Sequence, residues 1–135
     1  MKYEKPLPQP NADTKPFWDG CNRHQLLFQK CRNCQHVRWP PSIICPRCYS
    51  YDTEWTKASG RGRIYTYTVY HEAFHESFRN DLPYVTSVVK LDEGVYLLTN
   101  IVGCIHEEIK CDMPVEVVWD DISEEFTLPK FRPIT

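Results

Sequence analysis

The stretch Cys31-Arg32-Asn33-Cys34-Gln35-His36-Val37-Arg38-Trp39-Pro40-Pro41-Ser42-Ile43-Ile44-Cys45-Pro46-Arg47-Cys48 decides how the rest of the chain is read. Two pairs of cysteines, each spaced by two residues, are joined by a ten-residue arm. A gap of two residues lets both sulfurs of a turn face one point. The arm can fold as a hairpin and bring the second turn opposite the first, completing a tetrahedron of thiolates. That arrangement suits a structural zinc with no open position for chemistry. Iron in the same sulfur tetrahedron, or two disulfides, are the alternatives. Four thiolates around a divalent zinc leave the cluster doubly negative, which takes the chain's formal charge from −2 to −4. Lys30, Arg32, Arg38 and Arg47 are close in sequence and soften that charge.

Seven cysteines in 135 residues cannot all pair within one chain. The first residues, Met1 to Pro6, lack the apolar run of a secretory signal, and no stretch approaches the ~18 apolar residues of a membrane span. A reduced, cytoplasmic protein with metal-bound or buried thiols follows as the expectation, with no membrane partner. Cys21, Cys104 and Cys111, outside the pattern, read as small buried apolar side chains.

Working outward from the cysteines, residues 1–13 carry Pro6, Pro8 and Pro10 and read as an extended tail. A short helix is expected from about Thr14 to Gln25, capped by Asp13 or Thr14, with Pro16 in its first turn. Residues 14–57 then hold the helix and the cysteine hairpin, with a polar link through Tyr51, Asp52 and Thr53. Beyond the Gly60-Arg61-Gly62 break the chain becomes strand-rich. The runs Ile64–Tyr70, Tyr84–Leu91, Val95–Val102, Val115–Trp119 and Glu125–Arg132 give five short strands, with Asp92-Glu93-Gly94 as a hairpin turn. A helical turn over His106 to Cys111 separates the third strand from the fourth. The fold class is therefore mainly β, and residues 58–135 are expected to form a five-stranded OB-type barrel, with a five-stranded sandwich as the alternative.

Charge divides along the same line. Residues 1–63 total +6 and residues 64–135 total −8. A single-stranded nucleic-acid binder, which ribbons and barrels both permit, needs a basic groove with stacking aromatics. An acidic barrel opposes it, so no nucleic-acid partner is expected.

His71-Glu72-Ala73-Phe74-His75 matches the H-E-x-x-H pattern of zinc proteases. It follows a strand, and Pro83 limits any helix to about two turns, enough for a brief helix packed by Phe74 and Phe78. The third ligand would have to be Glu93, inside a turn. A metalloprotease is not expected, and no catalytic residue is assigned.

Several blocks together resemble one family. They are Phe17-Trp18-Asp19-Gly20, the cysteine hairpin with Pro40-Pro41 inside it, Ala58 to Thr68, Pro83-Tyr84-Val85, Leu97 to Gly103, Met113 to Val117 and Leu128 to Pro133. The family is the acyl-CoA-associated one catalogued as domain of unknown function thirty-five, and the resemblance spans about residues 14–134. It implies an N-terminal helical segment, a rubredoxin-like zinc ribbon formed by Cys31, Cys34, Cys45 and Cys48, and an OB-fold domain. One departure is Cys111, where a small residue, often Gly, is usual. The resemblance further implies a non-catalytic accessory subunit of a thiolase-like partner, helping to hold or pass CoA thioesters. Trp18 and Trp39 are candidates for that interface or for ribbon core.

CoA carries about four negative charges, which planar guanidinium forks bind well. Arg61 and Arg63 at the entrance to the first barrel strand, Tyr65 and Tyr67 along it, and His71 and Arg79 in the loop after it are the candidate CoA contacts. Solvated charges and core aromatics are the alternative reading of the same residues.

Overall fold

The computed structural model describes residues 5–73 and 75–134. After the extended tail, α1 spans Lys15–Asn22 with Pro16 in its first turn. Thr14 occupies the N-cap position, yet its hydroxyl accepts the Asn11 N–H at 2.9 Å instead of capping the helix. The helix stops short of the expected Gln25 because His24 takes left-handed backbone, with φ of 58°, and the Gln25 N–H turns back to the Gly20 carbonyl at 2.8 Å. A Cβ at residue 20 would lie 2.8 Å from Leu27 Cδ1.

Three strands follow: β1 (Leu27–Cys31), β2 (Val37–Arg38) and β3 (Thr53–Lys57), ordered β2-β1-β3 and antiparallel. The segment expected as a polar link therefore continues into a strand, β3. Its sequence, Thr-Glu-Trp-Thr-Lys, shows no apolar alternation, and its form comes from five paired positions along β1.

The barrel comprises β4 (Arg61–Tyr70), β5 (Tyr84–Leu91), β6 (Tyr96–Ile101), β7 (Pro114–Asp121) and β8 (Thr127–Pro133). Short 3-10 helices at Glu76–Asp81 and His106–Glu108 fill two of the connections. The strands close in the order β4-β5-β6-β8-β7, with β7 pairing back onto β4. The expected closed five-stranded barrel is the observed one. Gly62 sits where β4 pairs with β5 and β7 at once, and a Cβ there would lie 2.5 Å from the Lys90 carbonyl. Between β6 and β8 the closure is thin, resting on the parallel pair Ile101 and Phe131. Pro129, which has no N–H to offer, lies along this seam, and its carbonyl accepts the Thr99 hydroxyl at 2.9 Å.

One apolar core runs through helix, ribbon sheet and barrel. Phe17, Cys21, Leu26 and Phe28 join Ile64, Val89, Leu91, Val115 and Phe131 in it. Phe17 packs on Phe28 and Trp39, which fixes the helix to the ribbon. His24 and Asn22 then tie the helix end to Asp121 and the Glu125 carbonyl of the barrel. No helix among the described residues is long and apolar enough to cross a membrane.

Candidate metal centre and ligand surface

The two cysteine turns are built alike. Gln35 and Tyr49, each just past the second cysteine of its pair, take left-handed backbone with φ of 67° and 64°. Their N–H groups donate to the Cys31 and Cys45 carbonyls at 2.9 and 2.8 Å. In return the Cys31 and Cys45 N–H groups donate to the His36 and Ser50 carbonyls, both at 2.9 Å. Each turn thereby aims two sulfurs at one point. The four sulfurs all lie within 4.8 Å of one another, with Cys31–Cys48 at 3.5 Å and Cys34–Cys45 at 3.6 Å. A zinc at about 2.3 Å from each sulfur of a regular tetrahedron needs sulfurs about 3.8 Å apart, so the set fits the ion. The Cys34 N–H and the Asn33 side-chain amide donate to Cys31 and Cys48 sulfurs, each at 3.4 Å. The Asn33 bond is the main reason the Cys48 thiol is lowered to about 6, while the Cys34 thiol of the same group is raised to about 11.

The six candidate CoA contacts do not gather in one place. Arg61, Arg63 and Tyr65 lie at the start of β4, all exposed. Arg63 donates to the Asp112 carbonyl at 2.9 Å and, with Tyr65 and Lys90, lines a cavity of about 450 Å³. Tyr65 sits at the bulge in β4 and meets Tyr96 edge to face at 5.1 Å, while Lys90 lies 5.8 Å from the Tyr96 ring centre. Tyr67 points the other way: it is half-buried, and its hydroxyl donates to the Ile109 carbonyl at 3.1 Å. His71 lies past the far end of β4, a path of about 33 Å from Arg61 at 3.3 Å per residue. Its ring faces His106 at 5.4 Å. Arg79 belongs to the 3-10 helix and lines a separate cavity with His75 and Asn80.

The described residues of the H-E-x-x-H stretch are not α-helical. His75 is the N-cap of the 3-10 helix and accepts the Ser77 N–H, whereas His71 faces His106. Glu93 accepts the Ser59 N–H at 2.8 Å and so holds the ribbon-to-barrel connection. Phe74, expected to pack with Phe78, lies outside the described residues. Among the other cysteines, Cys21 is buried and its thiol is pushed up to about 12 by burial. Cys104 is half-buried and raised by burial and then by Glu108. Cys111 corrects the expectation of burial: it is exposed, in the turn where Asp112 takes a φ of 69°.

Two surface features depend on tertiary structure. A groove of about 310 Å³ runs between α1, the ribbon and the β6–β8 seam, walled by Phe17, Trp18, Trp39, Leu97, Leu98 and Pro129. Trp18 and Trp39 thus serve both the core edge and a surface. Through Asn100, Leu128 and Lys130 it shares walls with a cavity of about 570 Å³ that reaches Cys104 and His106. Leu98, 70% exposed, also borders Tyr96 on the outer face of β6, so apolar surface continues from the groove to Tyr65. Alternation along β6 could have flagged Tyr96 and Leu98; the groove needs three elements in place.

A helix, a tetrathiolate ribbon and a closed five-stranded OB barrel on one core define a zinc-ribbon and OB-fold protein. Residues 18–54 match the family model described as ChsH2, rubredoxin-like zinc ribbon domain, and residues 55–120 match ChsH2, C-terminal OB-fold domain. The chain belongs to the ChsH2/DUF35 family. A DUF35 domain-containing scaffold protein of Methanocaldococcus jannaschii is 38% identical over 104 residues, covering 76% of this chain and 73% of that one. A "Probable enoyl-CoA hydratase alpha subunit" of Thermomonospora curvata is 38% identical over 132 residues, covering 98% of this chain. The chain spans only 41% of that relative's length. A solved chain from an Ltp2-ChsH2(DUF35) aldolase is 38% identical with a TM-score of 0.87, covering 94% of this chain and 98% of that one.

Proposed function

We propose that the chain is a non-catalytic subunit of a thiolase-type acyl-CoA enzyme complex, stabilising its partner and helping to bind or pass CoA thioesters. The observation that carries this reading is the likeness, over nearly the whole chain, to a subunit solved in an Ltp2-ChsH2(DUF35) aldolase. Family relatives named as scaffold proteins support the accessory role. Residues 14–57 act as a helix-and-ribbon unit and 58–135 as the OB-fold unit, behind a tail at 1–13. Cys31, Cys34, Cys45 and Cys48 ligate a structural zinc, and the protein works in the cytoplasm.

On this reading the apolar surface from the Trp18–Trp39 groove through Leu98 and Tyr96 to Tyr65 meets the partner polypeptide. Exposed aromatic and aliphatic side chains of this kind are what interface centres use. Arg61, Arg63 and Tyr65 are read as CoA contacts, with Lys90 added because it lines one cavity with Arg63 and Tyr65; Tyr67 is committed to the Ile109 carbonyl. Expressed alone, the chain is expected to show no thiolase activity. Co-expression with a thiolase-like subunit should give a stable complex with activity, and failure to associate with any such subunit would overturn the reading.

A further inference from the structure

Arg38 is an arginine inside the protein. On β2 it is 4% exposed, and among the described residues no carboxylate lies within ion-pairing distance of it. Its partners are all neutral. Nε donates to the Ser42 hydroxyl at 3.1 Å, and Nη2 donates to the Ser42 carbonyl at 3.0 Å and the Thr53 hydroxyl at 2.8 Å. Nη1 is buried with no hydrogen-bond partner among the described residues. A guanidinium is a permanent cation, and an enclosed charge with only neutral partners is costly unless a countercharge lies close by.

The ribbon offers few anions. Asp52 and Glu54, on either side of Thr53, both reach Arg32, at 3.6 and 3.4 Å. What remains is the metal cluster, doubly negative with a divalent ion and four thiolates. The register puts Arg38 on the cluster's side of the sheet. Arg38 stands opposite Gln29 on β1, and Gln29 and Cys31 are two apart, so they share a face. Thr53, which takes the Nη2 bond, stands opposite Cys31. The guanidinium therefore crosses beneath β1 on the buried face that also carries a metal ligand. Of the four cations near the cysteines in sequence, this one alone is fully enclosed.

We propose that Arg38 is the internal counter-cation of the metal–thiolate cluster, neutralising half its negative charge from within the ribbon. The inference rests on the reading of the four cysteines as metal ligands. Neutralisation makes the thiolates poorer nucleophiles and holds the metal more tightly; the bonds to Ser42 and Thr53 only place the charge.

The test uses the full zinc-loaded chain in equilibrium competition with a chromogenic chelator, together with the rate of zinc release by N-ethylmaleimide. Arg38→Gln is expected to weaken zinc binding about tenfold or more, the usual range for groups that support metal ligands, and to speed release by a similar factor. Arg38→Lys, which keeps the charge and loses the fork, should stay within about threefold of the parent, as should Thr53→Val. Should Arg38→Gln fail to fold, Arg38→Lys and Thr53→Val still decide the matter. Loss of affinity in both would assign Arg38 a clasping role and overturn the proposal, as would unchanged affinity in Arg38→Gln. A parent chain that binds no zinc would overturn the metal reading itself.

Discussion

Tyr65 of β4 and Tyr96 of β6 meet edge to face at 5.1 Å on the outside of the barrel, across the intervening strand β5. Both residues are exposed, at 61% and 45%, and Leu98 extends the patch toward the tryptophan-lined groove. Tyr65 keeps the outward phase of Arg61 and Arg63, and the bulge between Ile64 and Thr66 reverses the alternation only beyond it, so that Tyr67 turns inward. Leu98→Asp and Tyr96→Ala should therefore weaken association with the partner subunit by about tenfold or more, the cost of removing central interface anchors. Thermal unfolding of the isolated variants should match the parent. Unchanged association in both variants would place the interface elsewhere.

Removing the metal should cost far more than any surface change. Cys45→Ser, or exhaustive chelation, should lower stability by the order of 4 kcal/mol or more, because a structural zinc contributes folding free energy directly. Trp39 packs on Phe17 and Phe28 at the ribbon edge, so its fluorescence should shift as the ribbon loosens. Metal analysis and tryptophan emission on the same sample check both parts.

The shared core makes a second stability prediction. Phe28 is fully buried in β1 and contacts the rings of Phe17 and Trp39. Phe28→Ala should cost about 3–5 kcal/mol in urea unfolding, the range for emptying a buried aromatic site. Helix, ribbon and barrel should unfold in one transition because one cluster joins them. Two resolved transitions would contradict that.

Asp121 gives a dependence on pH. Its carboxyl is held below the ordinary 3.8, first by the Thr127 hydroxyl at 2.6 Å and then by His24 at 2.9 Å. A carboxyl with a depressed folded pKa contributes stability that is fully present above its unfolded value. That contribution is lost as pH falls through the lower folded value. Asp121→Asn should therefore flatten part of the fall in melting temperature below about pH 4. The group is solvent-exposed, so the effect should be small and weaker still in high salt.

The sequence made the cysteine turns and most barrel strands legible for local reasons. A cysteine turn is complete within six residues, and Tyr84–Leu91 alternates buried and open positions along its whole length. β3 was not legible because its form is imposed by β1. Arg38 was not legible as a buried group, since arginine normally belongs at the surface and its burial depends on the register of three strands. The candidate CoA contacts were grouped by nearness in the chain, yet a ten-residue strand carries its two ends far apart. Lys90 and Tyr96 join Arg63 and Tyr65 only through strand pairing, which sets Lys90 opposite Arg63 and Tyr96 opposite Lys90.

The most direct test of the accessory-subunit reading is to purify the tagged full chain from its own cells, identify by mass spectrometry the polypeptide that travels with it, and assay thioester chemistry for each component and for the pair. The account predicts a larger thiolase-like polypeptide, no turnover by this chain alone, and activity or stability of the partner that falls when this chain is withheld. Turnover by this chain alone, or the absence of any thiolase-like partner, would contradict it.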